Sequence, residues 1–178
     1  IIRVSAAATR SGHKAVAAVT SQLIERKIAD AAINPRRREI HFFHTGNDDT
    51  LHRMLNTLQP GSYIRPHRHH TPPKAESVVL LRGRLACATF NGDGELMTDL
   101  SILLDESRGC CAADYRAGTW HTFFALEPGT VVFEVKPGPY APLADKDFAA
   151  WAPPEGSPQA DVYLARMEDE LRRQWRLP

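Results

Sequence analysis

Residues 61–83 read GSYIRPHRHHTPPKAESVVLLRG, a stretch in which three of the chain's eight histidines fall within four positions. Side chains alternate between the two faces of a β-strand, so His67 and His69 project to one side, with Cα atoms about 6.6 Å apart, while Arg68 points away. Two imidazoles on one face can bind one metal ion at about 2.0–2.1 Å from each ring nitrogen. Two prolines end this strand, and a neighbouring strand that starts at Glu76 can bring a carboxylate to the same ion.

A fourth ligand is available further along the chain, in RAGTWHTFF at 116–124. A glycine turn precedes a strand that carries His121, with Phe123 on the same face and Thr122 on the other. Three histidines and one carboxylate suit Fe(II), Mn(II), Ni(II), Cu(II) or Zn(II), and the Irving–Williams order does not choose among them. The alternative is a solvated histidine-rich loop and a hydrogen-bonded core histidine, because short motifs also match by chance. The glutamate at a strand start and the later G-x-x-H favour a metal site.

The region around these motifs has the pattern of an all-β domain. Short apolar runs separated by turn signals, such as NGDG at 91–94, extend over residues 38–137. Turns every ~8 to 12 residues are typical of an antiparallel sandwich or barrel. We therefore predict one antiparallel β-domain over 38–137.

The two ends of the chain have different patterns. Residues 1–37 contain Leu23, Ile24 and Ile28 at helical spacing, which predicts a short helix at about 21–32. Residues 138–178 begin with a proline-rich segment that is expected to cover the domain, since proline cannot join a central strand. A capping serine and a first-turn proline in SPQADVYLARMEDELRRQW then predict an amphipathic C-terminal helix.

Composition excludes several classes of protein. Twenty-two Lys and Arg against 21 Asp and Glu leave a net charge of +1, so no global field favours nucleic acid or a membrane surface as a partner. Three cysteines without a C-x-x-C spacing do not support a disulfide framework or a zinc knuckle. No apolar run reaches the ~18 residues of a membrane span, and the N-terminal stretch lacks the apolar core of a signal peptide. We expect a soluble, cytoplasmic protein.

Two motifs resemble those of the cupin superfamily. Gly61, the H-x-H at 67–69, Glu76 and Gly83 resemble the first cupin motif, and GTWH at 118–121 resembles the second. The resemblance implies a single jelly-roll type antiparallel β-barrel that holds a metal inside. Six residues separate the H-x-H from Glu76 where the general motif has three or four, so His70 stays open as an alternative ligand.

Five longer segments resemble one branch of that superfamily, the WbuC family of cupin-fold metalloproteins. They are NPRRREIHFFH, LQPGSYIRPHRH, KAESVVLLRGRLA, GTWHTFFALEPGTVVFEVKPGPY and DKDFAAWAPPEG, and the resemblance extends from about Leu23 to Glu155. It implies a bacterial cytoplasmic protein with one divalent metal ion and an association with surface-polysaccharide (O-antigen) gene clusters. It implies no particular substrate.

Basic and aromatic residues near these motifs are candidates for substrate binding. Arg65 has the strand parity of the proposed ligands, so it is expected to point inward and hold an anionic group, with an internal salt bridge as the alternative. Arg37, in the run PRRR, could form bidentate contacts to a sugar-nucleotide phosphate or lie on a solvated face. Tyr63 and Lys74 flank the ligands. Lys136 could line the pocket or pair with Glu134.

The leading functional hypothesis is a metal-dependent enzyme, an isomerase or an oxygenase, that acts on a small anionic or sugar-related molecule. An iron-dependent dioxygenase is one alternative, and a non-catalytic metal-binding or sugar-binding module is another. A homodimer is possible.

Overall fold

The structure, a computed structural model, describes residues 1–141 and 146–178. Their two α-helices are α1 (Ser21–Ile33) and α2 (Pro158–Trp175), and a short 3-10 helix spans Glu106–Arg108. The strands are β1 (Ile2–Ser5), β2 (Ala8–Arg10), β3 (Arg38–Phe42), β4 (Leu51–Leu58), β5 (His67–Arg68), β6 (Glu76–Arg82), β7 (Leu85–Phe90), β8 (Ile102–Leu104), β9 (Ala112–Tyr115), β10 (Trp120–Ala125), β11 (Thr130–Pro137) and β12 (Asp147–Phe148).

The strands form two sheets, in the orders β1-β2-β3-β4-β11-β6-β9 and β12-β5-β10-β7-β8. Strands β4 to β11 pair from the outside inwards along the chain: β4 with β11, β5 with β10, β6 with β9 and β7 with β8, all antiparallel. This nesting, divided between two sheets, is the jelly roll, the architecture that cupins have. The all-β jelly-roll prediction is confirmed, although the described strands form a two-sheet sandwich where a closed barrel was expected.

Apolar side chains from both inner faces fill most of the space between the sheets. Strand β6 illustrates the pattern, because Val78 is fully buried whereas Val79 and Leu81 are each 41% exposed on the outer face. The core between the sheets contains Leu58, Val78, Leu85, Cys87, Leu104, Ala113, Tyr115, Phe123, Ala125 and Val132. The same two sheets carry three of the predicted ligands, because His67 lies on β5, Glu76 on β6 and His121 on β10.

Helix α1 covers the outer face of the larger sheet. The Thr20 hydroxyl accepts a hydrogen bond from the backbone N–H of Leu23 at 3.2 Å and caps the helix. Leu23, Ile24 and Ile28 pack against Leu55 and its neighbours, as their spacing indicated. Residues 2–10, for which the sequence predicts no helix or strand, form the hairpin β1–β2. Strand β2 then pairs in parallel with β3.

A buried polar network joins α1 to this hairpin and to β3. The side chain of Lys27 is fully buried, and its Nζ lies 2.5 Å from Asp30 Oδ2, 3.4 Å from Glu39 Oε1 and 3.0 Å from Thr9 Oγ1. Glu39 also accepts a hydrogen bond from Arg3 at 2.7 Å. Every charge in this network has a partner of opposite sign, which is the condition for burying it.

The network also contains a buried histidine whose protonation opposes folding. His41 Nδ1 lies 2.8 Å from Thr9 Oγ1, and burial, assisted by the charge of Lys27, lowers the pKa of His41 from 6.5 to about 4. Since the unfolded chain takes up a proton here and the folded chain does not, stability is expected to fall as pH drops from about 6.5 to about 4. Urea unfolding of chelator-treated protein over this range should show a smaller loss for His41→Gln than for the wild type. His70→Gln, at an exposed position, is the control. If the stability of His41→Gln falls with pH as steeply as that of the wild type, a group other than His41 causes the loss.

The C-terminal region packs beside the smaller sheet. Glu155 binds Arg36 and Arg38, each at 2.7 Å, and fastens the proline-rich segment to the domain. Leu164, Met167 and Leu171 of α2 pack on the core beside the smaller sheet. Ser157 occupies the N-cap position of α2, but its hydroxyl donates to the Pro154 carbonyl instead of capping the helix.

No helix among residues 1–141 and 146–178 is long and apolar enough to cross a membrane.

Candidate metal centre

The structure brings together His67, His69, Glu76 and His121. One ligand atom from each residue can be chosen so that all four lie within 4.8 Å of one another, and no side chain of the four is more than 2% exposed. His67 in β5 lies directly opposite His121 in β10. Glu76 begins β6 in the other sheet, so the carboxylate faces the imidazoles across the sandwich. The sequence predicts a neighbouring strand for Glu76, whereas β5 and β6 belong to different sheets.

Two of the imidazoles are oriented by the backbone. His67 Nδ1 lies 3.0 Å from the Arg65 carbonyl oxygen, and His121 Nδ1 lies 2.8 Å from that of Thr119. A carbonyl oxygen only accepts, so each Nδ1 carries a proton and, in the neutral imidazole, each Nε2 keeps a free lone pair. Both Nε2 atoms are buried, and neither has a hydrogen-bond partner among the described residues. A metal ion would satisfy both lone pairs, and histidine ligands are commonly oriented in this way.

The carboxylate of Glu76 lies between the other groups. Its Oε2 accepts a hydrogen bond from His69 Nε2 at 3.0 Å, and its Oε1 lies 3.8 Å from His121 Nε2. Burial raises the pKa of the Glu76 carboxyl, but the neighbouring His121 and His69 imidazoles and the Lys136 ammonium outweigh burial, so the pKa lies well below its usual range. When the His121 imidazole is neutral, its Nε2 lone pair faces this carboxylate, and the two repel each other unless a proton or a metal ion lies between them.

The protonation state of His67 also suits a ligand. Burial, followed by the positive charge of Lys146, lowers the pKa of His67 well below its ordinary value. The imidazole is therefore neutral near pH 7, as ligation requires. Three imidazoles and one carboxylate are donors that divalent first-row ions accept, so the residues present fit such an ion.

Tyr115 supports the cluster and carried no signal in the sequence. Its ring stacks on His121 with centroids 4.2 Å apart, and it lies directly opposite Glu76 in the pairing of β6 with β9. Phe148 pairs with His67 at the edge of the smaller sheet. Only strand pairing brings these residues to the site, and motif spacing does not report pairing between distant segments.

His70, the alternative ligand, is exposed and lies outside the cluster. Glu76, and not His70, therefore lies in the cluster, although six residues separate it from the H-x-H where the general motif has three or four. Two prolines and a turn fill that gap and allow the chain to cross from one sheet to the other.

Two of the predicted substrate-binding residues, Lys136 and Lys74, are buried. Lys136 is buried, with Nζ 4.0 Å from Glu76 Oε2 and 3.4 Å from Glu134 Oε1, so it forms the pair with Glu134 and also approaches a proposed ligand. Lys74 is also buried, and its Nζ donates to the Pro139 carbonyl oxygen at 2.5 Å.

The other three have structural contacts elsewhere. The Arg65 guanidinium donates to the Ala149 carbonyl oxygen and lines a surface groove with Trp151, so the expectation that it points inward from a strand was wrong. No strand forms at Arg65, and alternation therefore does not apply there. The Tyr63 hydroxyl donates to the Pro153 carbonyl oxygen, and Arg37 donates to that of Pro60.

A family model described as a domain of unknown function (DUF6016) matches residues 19–102, and no curated protein matches the chain. Among solved structures, the capsular polysaccharide assembling protein CapF from Staphylococcus aureus is 19% identical over 61% of this chain and 28% of its own, with a TM-score of 0.49. The chain therefore spans less than a third of the length of CapF.

Two further solved structures have similar levels of likeness. KdgF from Halomonas sp. is 18% identical over 59% of this chain and 81% of its own, with a TM-score of 0.43. A point mutant of the Bacillus subtilis oxalate decarboxylase OxdC is 18% identical over 67% of this chain and 29% of its own, with a TM-score of 0.44.

Proposed function

We propose that the chain is a cupin-type metalloprotein that holds one divalent ion through His67, His69, Glu76 and His121. The observation that carries this proposal is the pair of buried Nε2 lone pairs on His67 and His121, which face a buried carboxylate without a hydrogen-bond partner among the described residues. Leaving such atoms unsatisfied is costly, and a cation removes the cost.

We further propose that the protein is an enzyme for a small anionic, sugar-related molecule. A bound ion would supply a Lewis acid for a carbonyl or similar oxygen. Lys136 contributes a buried positive charge beside the cluster, which suits a substrate carboxylate or phosphate. The surrounding apolar core excludes water, which strengthens every charge interaction at the site. The sequence motifs of the WbuC family support a role in bacterial surface-polysaccharide (O-antigen) synthesis.

A non-catalytic metal-binding module is the second candidate, and the burial of the ligands favours it. Each of the four side chains is at most 2% exposed, as in a structural site that is closed to substrate. The two candidates differ in whether a small molecule can reach the ion.

The test combines metal loading with a ligand panel. Protein stripped with a chelator is reloaded with Fe(II), Mn(II), Co(II), Ni(II), Cu(II) or Zn(II), and elemental analysis should find about one ion per chain. Uronic acids and sugar phosphates are then compared with their neutral counterparts by thermal shift, with and without the ion. If the ion lies in an enzyme site, anionic compounds should raise Tm only in the metal-loaded protein and should alter the absorption spectrum of the Co(II)-loaded protein. One tightly held ion whose spectrum no compound changes would favour the structural module, and no stoichiometric ion under any condition would refute both.

A further inference from the structure

A line of buried polar groups extends from the proposed metal site along the inner face of the larger sheet. Glu134 and Lys136 share this face, because they are two residues apart in β11. Asn56 on β4 donates a hydrogen bond to Glu134 Oε2. Glu134, Lys136 and Asn56 are each no more than 8% exposed.

Lys136 lies between two carboxylates with different surroundings. Its Nζ is 3.4 Å from Glu134 Oε1 and 4.0 Å from Glu76 Oε2, so the ammonium is nearer to the carboxylate that lies outside the metal cluster. The Asn56 contact holds the other oxygen of Glu134 and fixes the direction of that carboxylate. Glu76 Oε2 is the atom that also accepts the hydrogen bond from His69.

An ammonium and a metal ion compete for the same carboxylate. A cation close to Glu76 neutralises part of the charge that attracts a divalent ion and also repels that ion directly, and both effects are strong where water is excluded. A group that draws Lys136 towards itself therefore favours metal binding, although it does not touch the metal.

We propose that Lys136 is a built-in competitor for Glu76 and that Glu134, oriented by Asn56, restrains it, so that this pair sets the affinity of the site for a divalent ion. The inference rests on the proposed metal site and adds a positioning role for Glu134. An ordinary buried salt bridge would act on the ion only through the separate fields of its two charges, so the single replacements would change affinity in opposite directions and the double variant would equal their product. Restraint of a competitor predicts instead that losing Glu134 has no effect once Lys136 is gone.

The experiment measures Co(II) and Zn(II) affinity by chelator competition at one pH and ionic strength. Glu134→Gln keeps the shape of the side chain but releases Lys136 towards Glu76, so affinity should fall, by about 10-fold, the lower end of the effects seen for groups outside the ligand shell. Lys136→Met removes the competitor and should raise affinity by a similar factor. The double variant should resemble Lys136→Met, because Glu134 has no competitor left to restrain. Glu168→Gln, which breaks the half-buried pair with Arg172 in α2, is the matched control and should bind as the wild type does.

The double variant decides the outcome, and the signs of the single changes must agree with it. Effects of the same sign for Glu134→Gln and Lys136→Met, or a double variant that equals the product of the singles, would overturn the inference. If Glu134→Gln does not fold, Glu134→Asp withdraws the carboxylate by one methylene group and should lower affinity, and an unchanged affinity there would also overturn it. A wild type that binds no ion would instead refute the proposed function.

Discussion

Replacing His67 and His69 together by alanine is expected to lower divalent-ion affinity by more than about 100-fold. Losing a group that only supports a ligand already costs ~10–100-fold, and this variant loses two of the proposed ligands themselves. The double variant removes one of the two imidazoles with an unpartnered Nε2 and the imidazole that bonds Glu76. Elemental analysis after reloading should therefore find little ion in the variant and about one per chain in the wild type. The thermal stabilisation that excess ion gives the wild type, about 2.7 kcal/mol at 100 times Kd, should disappear as well.

His70→Ala is the matched control for this prediction. His70 is an exposed neighbour in the same histidine-rich stretch, so its removal should leave ion content and affinity at the wild-type level. Equal ion content in the double variant and the wild type would contradict the proposed ligands. Loss of ion on replacing His70 alone would restore the alternative ligand hypothesis.

Replacing Lys27 by alanine is expected to be among the most destabilising single changes outside the metal site. Its fully buried ammonium contacts Asp30, Glu39 and Thr9, and Glu39 is itself only 1% exposed. Removing one partner of a buried ion pair typically costs about 3–5 kcal/mol. Arg3 still binds Glu39 in the variant, so we expect a loss near the lower value, measured as the free energy of unfolding in urea.

Lys27→Met separates the charge from the packing of the side chain. Methionine keeps most of the apolar stem, so a loss close to that of alanine would assign the effect to the charge network. Lys14→Ala, at an exposed position, should change stability by less than about 0.5 kcal/mol. A Lys27→Met variant as stable as the wild type would show that the network contributes nothing net.

Local patterns were informative wherever the physical rule is itself local. Helical spacing of Leu23, Ile24 and Ile28 predicted α1, and the short apolar runs predicted the antiparallel strands. Alternation predicted that His67 and His69 would share a side, and their ring centroids are 5.2 Å apart. Alternation failed at Arg65, because the backbone before His67 is not part of a strand and the side chain follows the Ala149 carbonyl instead.

The sequence by itself determined the β-rich domain, its flanking helices and the residue types that could bind an ion, because periodicity and residue chemistry are properties of neighbouring positions. Only the tertiary structure decided that Glu76 and not His70 lies in the cluster, that Tyr115 stacks on His121, and that Lys136 lies between Glu76 and Glu134. These relations depend on strand register and on which sheet each strand joins. Pairing between segments far apart in the chain decides both, and no local spacing encodes it.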